Sequence, residues 1–175
     1  RESSSKGVGV WKTIDGGLTW SLLQSTIEFD YITDIAIKET TNGSEIYIGV
    51  ASGVYRGENH QSEPSDGLYR SIDGGLTWLQ VLPSIVNSNS IYTPSDIEIS
   101  SNGRIFIGTM KNLNGDGGAA ILYSDTGLND SWSINLDYQQ IILSNDQNNI
   151  PGRIVLSSCK NFPEVLYVAI GSGYM

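Results

Sequence analysis

One twelve-residue stretch occurs twice, as Gly9-Val10-Trp11-Lys12-Thr13-Ile14-Asp15-Gly16-Gly17-Leu18-Thr19-Trp20 and as Gly67-Leu68-Tyr69-Arg70-Ser71-Ile72-Asp73-Gly74-Gly75-Leu76-Thr77-Trp78. A duplication this close means that one supersecondary unit is reused. In each copy an alternating apolar run enters Asp-Gly-Gly, a turn signal, and Thr-Trp opens a second run of β-favouring residues. The unit therefore reads as a hairpin. The Asp carboxylate can accept hydrogen bonds from the turn's own N–H groups, the paired glycines supply positive φ, and the Trp is large enough to cover the apolar face.

The rest of the chain repeats around this hairpin. Strands a (34–37), b (45–51), c (67–73) and d (77–82) make one unit, with a turn at Asn42-Gly43 between a and b. The same order recurs with strands at 96–99, 104–109, 120–123 and 132–136. A further a–b pair at 153–156 and 165–171 follows, and the first hairpin, with strands 7–13 and 19–24, supplies a lone c–d pair. The chain thus divides into a half unit (7–24), two whole units (34–82 and 96–136) and a half unit (153–175). Asp15, Asp73 and Asp125 are separated by 58 and 52 residues, close to the period of roughly 40–50 residues expected for four-stranded propeller blades.

Composition narrows the function. A net charge of −9, from ten basic and nineteen acidic residues, repels nucleic acid and anionic membranes. The single Cys159 excludes an internal disulfide framework and reads as a small buried hydrophobe. No apolar run is long enough to span a membrane, and no signal peptide is present. No cofactor-binding or phosphate-cradling motif occurs. Asn114-Gly115-Asp116-Gly117-Gly118 lacks the Lys and the following helix that a phosphate loop needs.

The duplicated stretch resembles the Asp-box, or BNR repeat, of the form Ser/Thr-x-Asp-x-Gly-x-Thr-Trp. Its positions here are Asp15, Gly16, Gly17, Thr19 and Trp20, then Asp73, Gly74, Gly75, Thr77 and Trp78. An imperfect third copy runs from Ser124-Asp125-Thr126-Gly127 to Ser131-Trp132, with Asp125 directly after the Ser and two extra residues before Trp132. The resemblance implies an all-β, propeller-type segment of four-stranded antiparallel blades, in a superfamily that includes sialidases, xyloglucanases and sortilin-like receptors. It names a fold and leaves the function open. Three blades' worth of chain cannot close a propeller of the usual four to eight blades. The expectation is that the segment is completed by more of the same polypeptide or by another copy, with Val10 and Trp11 lying beside a strand from outside it.

In such a scaffold the Asp residues hold their turns, and the long connections 24–33, 52–66, 83–95, 110–118 and 137–151 carry binding. Tyr55, Arg56 and His60 in the first b–c loop, and Asp116 in the second, are the candidate binding residues. With a single His and no pair at ligand spacing, no metal site is expected. The amide-rich run from Tyr138 to Asn149 suits sugar hydroxyls or plain solvent. Asp34, Asp96 and Arg153 open the successive a strands and are weak catalytic candidates; a plain structural role, a strand-start hydrogen bond repeated in each unit, is the competing expectation. The reading is a non-catalytic, secreted or surface scaffold that presents loops to a glycan or an extracellular protein. The alternative is a sialidase- or xyloglucanase-like glycoside hydrolase whose catalytic residues lie largely outside this segment.

Overall fold

The computed structural model describes residues 6–135, 137 and 153–171. The Tyr138–Asn149 run lies outside the described residues. Among the described residues the structure is all-β apart from one turn of 3-10 helix at Gln24–Thr26 and the helical Asp137. In chain order the strands are β1 (Trp11–Lys12), β2 (Ser21–Leu22), β3 (Tyr31–Thr40), β4 (Gly43–Ala51), β5 (Gly53–Tyr55), β6 (Glu58–His60) and β7 (Gly67–Ser71). They continue with β8 (Leu79–Gln80), β9 (Thr93–Ile99), β10 (Ile105–Met110), β11 (Ile121–Ser124), β12 (Ser133–Asn135), β13 (Arg153–Cys159) and β14 (Phe162–Gly171).

Among the described residues there are five antiparallel sheets, four of which follow one another along the sequence as β1-β2, β3-β4-β7-β8, β9-β10-β11-β12 and β13-β14, with the small β5-β6 sheet inserted in the second. β1 pairs with β2 and β14 with β13, so the first and last strands do not pair with each other. The sheets are stacked, and alternation along the strands builds the layers between them. In β4, Ile46, Ile48 and Val50 face a cluster with Phe29, Tyr69 and Val10, while Tyr47 points the other way. Tyr47 joins Leu68, Leu82, Ile97, Ile105, Ile107 and Leu122 in the largest core, between the second and third sheets. Phe106, next to Ile105 and Ile107, faces the opposite side and packs with Ile154, Leu156 and Leu166 of the fourth sheet. Strands buried on both faces in this way read as near-continuous apolar runs, as β4 and β10 do.

The extents differ from the sequence pattern in physically interpretable ways. β3 runs from Tyr31 instead of 34 because β4 offers partners over its whole length, down to Thr40↔Gly43. β1, β2 and β8 shrink to two residues each, since the Asp turn between the strands of each hairpin widens it. Cys159, expected to be buried, is half-buried at the β13–β14 turn. The 52–66 connection, expected as an irregular loop, contains the β5–β6 hairpin.

Candidate functional site

The two regular Asp turns share one bonding scheme. The Asp15 carboxylate accepts from Thr19 N–H at 2.9 Å and from the Thr13 and Thr19 hydroxyls at 2.8 and 2.6 Å. Asp73 accepts from Leu76 and Thr77 N–H at 3.0 Å each, and from Ser71 and Thr77 hydroxyls. The hydroxyl of Thr19, its N–H and the hydroxyl of Thr13 hold the Asp15 carboxyl down to about 2. The matching donors on Asp73 push it lower still.

A carboxyl depressed on folding stabilises the fold above its unfolded pKa of about 4, and that contribution is lost as pH falls through the folded value. The stability gap between the native chain and Asp15→Ala or Asp73→Ala is therefore expected to be full above about pH 4. It should close as pH approaches 2 for Asp15 and at still lower pH for Asp73. Thermal melts of the three proteins between pH 2 and 7 measure it; a gap that persists unchanged into strong acid would contradict the assignment.

The third turn departs from this scheme. Ser124 Oγ accepts from Thr126 and Gly127 N–H at 3.2 and 2.8 Å, the same role that the opening hydroxyls of Thr13 and Ser71 play in the regular turns. Asp125, expected to hold the turn, points outward into a two-pronged pair with Arg104 at 2.7 and 3.0 Å. The cause is its position: directly after the Ser, its side chain leaves from the other side of the strand. The Trp residues diverge as well. Trp78 is half-buried against Phe29, with Nε1 donating to Ser25 Oγ at 3.0 Å. Trp132 packs against the main core. Trp20, expected to be covered, is 58% exposed, because no sheet lies over that side of the first hairpin among the described residues.

The three weak catalytic candidates fall into two kinds. Asp34 Oδ2 accepts from Ile97 N–H at 2.8 Å, and Asp96 Oδ2 from Leu156 N–H at 2.6 Å. Each carboxylate thus fastens the first strand of one sheet to the first strand of the next. Burial pushes the Asp96 carboxyl up, against the pull of the Leu156 amide, with the Asp34 charge adding to the rise. Arg153 does not belong with them. Strand register pairs Asp34 with Gly49, Asp96 with Gly108, and Val155 with Ala169, so the equivalent residue is Val155, two positions later.

The candidate binding residues also separate. Tyr55, Arg56 and His60 gather on the β5–β6 hairpin, with the Arg56 guanidinium 5.1 Å from the Tyr55 ring centroid and the His60 ring edge-on at 6.0 Å. Asp116 sits in a different turn, its N–H donating to Asn112 Oδ1 at 2.9 Å. Neither group lines the concavity between the long connections.

That concavity is a cavity of about 250 Å³ where the 52–66, 83–95 and 110–118 connections converge. Its wall includes Gln61, Glu63, Asp66, Asn89, Asn112 and Asn114, with Ser52, Ser62 and Ser90 between them and, among the described residues, no Lys, Arg or His. Asp66 is fixed by the hydroxyls of Ser52 and Thr93. Asn112 Oδ1 accepts from the N–H groups of Asn114 and Asp116 at 2.9 Å each, which leaves its NH₂ to face a ligand. Amides, hydroxyls and acceptor carboxylates with no cation suit an uncharged polyhydroxylated ligand and disfavour an anion. Sequence reasoning singled out the three connections without these residues. The signal was the Asn/Ser density at 87–90 and 112–114. Among the described residues no group of His, Cys, Asp and Glu is arranged to hold a metal.

Against known proteins, the chain is similar to Xyloglucanase Xgh74A of Acetivibrio thermocellus, with 28% identity over 121 residues, a stretch that covers 58% of this chain. The chain spans about 13% of the length of these curated relatives. No family model matches it, and no solved structure does.

Proposed function

We propose that the chain is a segment of an Asp-box-type β-propeller that binds neutral glycans in the polar cavity of its long connections. The sheets would be a half blade (7–24), two blades (34–82 and 96–136) and a half blade (153–175). The repeated Asp34–Ile97 and Asp96–Leu156 bonds support this, since they relate successive sheets by the same operation. Tyr167 supports it too. It is equivalent to the buried Tyr47 but 68% exposed, as expected where a further blade would pack. The reading places the protein outside the cell or on its surface. Among the described residues no helix is long and apolar enough to cross a membrane.

The single observation that carries the binding reading is the cavity itself: amides and hydroxyls from three connections, without a cation. The similarity to a xyloglucanase favours a second reading, hydrolysis of such a glycan. Retaining and inverting glycosidases need two carboxyls flanking the scissile bond. Asp34 and Asp96 are each engaged by a main-chain N–H of the neighbouring sheet, so on this reading the catalytic pair lies outside the segment. Calorimetry with xyloglucan oligosaccharides, together with chromatography for released products, separates the two. The expected result is saturable binding without product, weakened about tenfold, or 1.4 kcal/mol, by Asn114→Ala combined with Asn89→Ala. Turnover would move the assignment to the hydrolase, and failure to bind any neutral glycan would remove the binding reading.

A further inference from the structure

A second concave site lies on the other side of Glu63 and Pro64 from the polar cavity and shares these two residues with it, where the 3-10 turn Gln24–Thr26 approaches the β7–β8 hairpin. It is a groove of about 370 Å³ walled by Phe29, Tyr69, Trp78 and Pro64, with Glu28 and Glu63 on its rim. We propose that this groove receives the lysine or arginine side chain of a basic protein segment. The inference goes beyond the glycan reading and does not depend on it.

The donor and acceptor inventory carries the argument. Every side-chain donor of the groove is already spent. Ser25 Oγ donates to Gly75 O, Trp78 Nε1 to Ser25 Oγ, Thr77 Oγ1 to Asp73, and Tyr69 Oη to Ser65 O. What remains are the carboxylates of Glu28 and Glu63, which both line the groove from segments joined by a main-chain bond, Glu63 N–H donating to Glu28 O at 3.2 Å. Neither carboxylate has an ion pair among the described residues, and the nearby Lys6 is committed to Asp30 at 3.0 Å. A site that offers only acceptors matches a side chain that only donates, as Lys and Arg do; sugar hydroxyls need both. The apolar lining fits the same occupant. Phe29 and Tyr69 are buried behind the groove, and Trp78, half-buried and crossing Phe29 at 71°, is the ring that its lining leaves open, beside the exposed Leu76 and Pro64. A cation can lie against the Trp78 face while its methylene stem runs along Leu76 and Pro64. A chain of net charge −9 also attracts basic partners over distance.

The test follows the Trp78 indole N–H resonance in the ¹⁵N-labelled protein. It is titrated with a capped, glycine-spaced peptide containing one Lys and one Arg, with the same peptide carrying Gln at both positions, and with a xyloglucan oligosaccharide. The expected result is a saturating shift with the first peptide and none with the second. Glu28→Gln and Glu63→Gln should each weaken binding about fivefold, and added salt should weaken it further. Both variants change exposed side chains; Glu28 lies outside the polar cavity, so Glu28→Gln should leave oligosaccharide binding unchanged, whereas Glu63 lines both sites and Glu63→Gln is read against the Glu28 variant. No shift up to millimolar peptide would overturn the proposal, as would equal shifts with the Gln peptide. A shift produced by the oligosaccharide alone would reassign the groove to sugar.

Discussion

Gly127→Ala is expected to destabilise the protein by about 2–4 kcal/mol, lowering Tm by on the order of 10 °C. Gly127 has a φ of +70°, and a Cβ there would stand 2.1 Å from Tyr47 Oη and 2.8 Å from Ile105 Cδ1. Neither neighbour has room to yield. Tyr47 is fully buried with its hydroxyl donating to Glu45 Oε2 at 2.6 Å, and Ile105 is fully buried in the same core. Burial and the Glu45 carboxylate push the Tyr47 hydroxyl above its ordinary value, so it stays a donor at any physiological pH. Combining Gly127→Ala with Tyr47→Phe should cost less than the two changes summed, because the phenol oxygen is the closest obstruction. Urea unfolding of the three variants measures both quantities. A loss below about 0.5 kcal/mol for Gly127→Ala would mean that the third turn does not close over Tyr47.

The second large effect is expected at the carboxylates that fasten sheet to sheet. Asp34→Ala removes the acceptor of Ile97 N–H, and Asp96→Ala that of Leu156 N–H. Ile97 and Leu156 are both buried, so each amide is left without a partner, at about 1–3 kcal/mol apiece. Asparagine retains a carbonyl acceptor and should recover part of the loss at either position. If both alanine variants kept native stability but lost turnover of a glycan, the two carboxylates would be catalytic and not structural.

Much of this architecture is legible in the sequence because it is local. The Asp turns announce themselves through the fixed spacing of Thr13 to Thr19 and Ser71 to Thr77, and the bonds that close them join residues two to four apart. The inner strands show themselves as apolar runs for the same reason. What depends on neighbours does not show. Trp20 and Trp78 occupy identical motifs, yet one is exposed and the other packs on Phe29. Arg153 stands at the head of its strand in sequence, but pairing with β14 makes Val155 the equivalent of Asp34 and Asp96. The β5–β6 hairpin lacks a clean apolar alternation and was hidden in a polar stretch, although Arg56-Gly57 is its turn. The polar cavity needs three connections to converge, which no single stretch encodes.

On the proposed reading the long connections bind glycan and the Asp turns do not. Mapping amide shifts during titration with xyloglucan oligosaccharides tests it at residue resolution. Shifts are expected at the cavity wall alone, at Gln61–Asp66, Asn89–Ile91 and Asn112–Asn114, with Ile14–Leu18 and Ile72–Leu76 unmoved. Shifts centred on those two turns, with the cavity wall unperturbed, would contradict it.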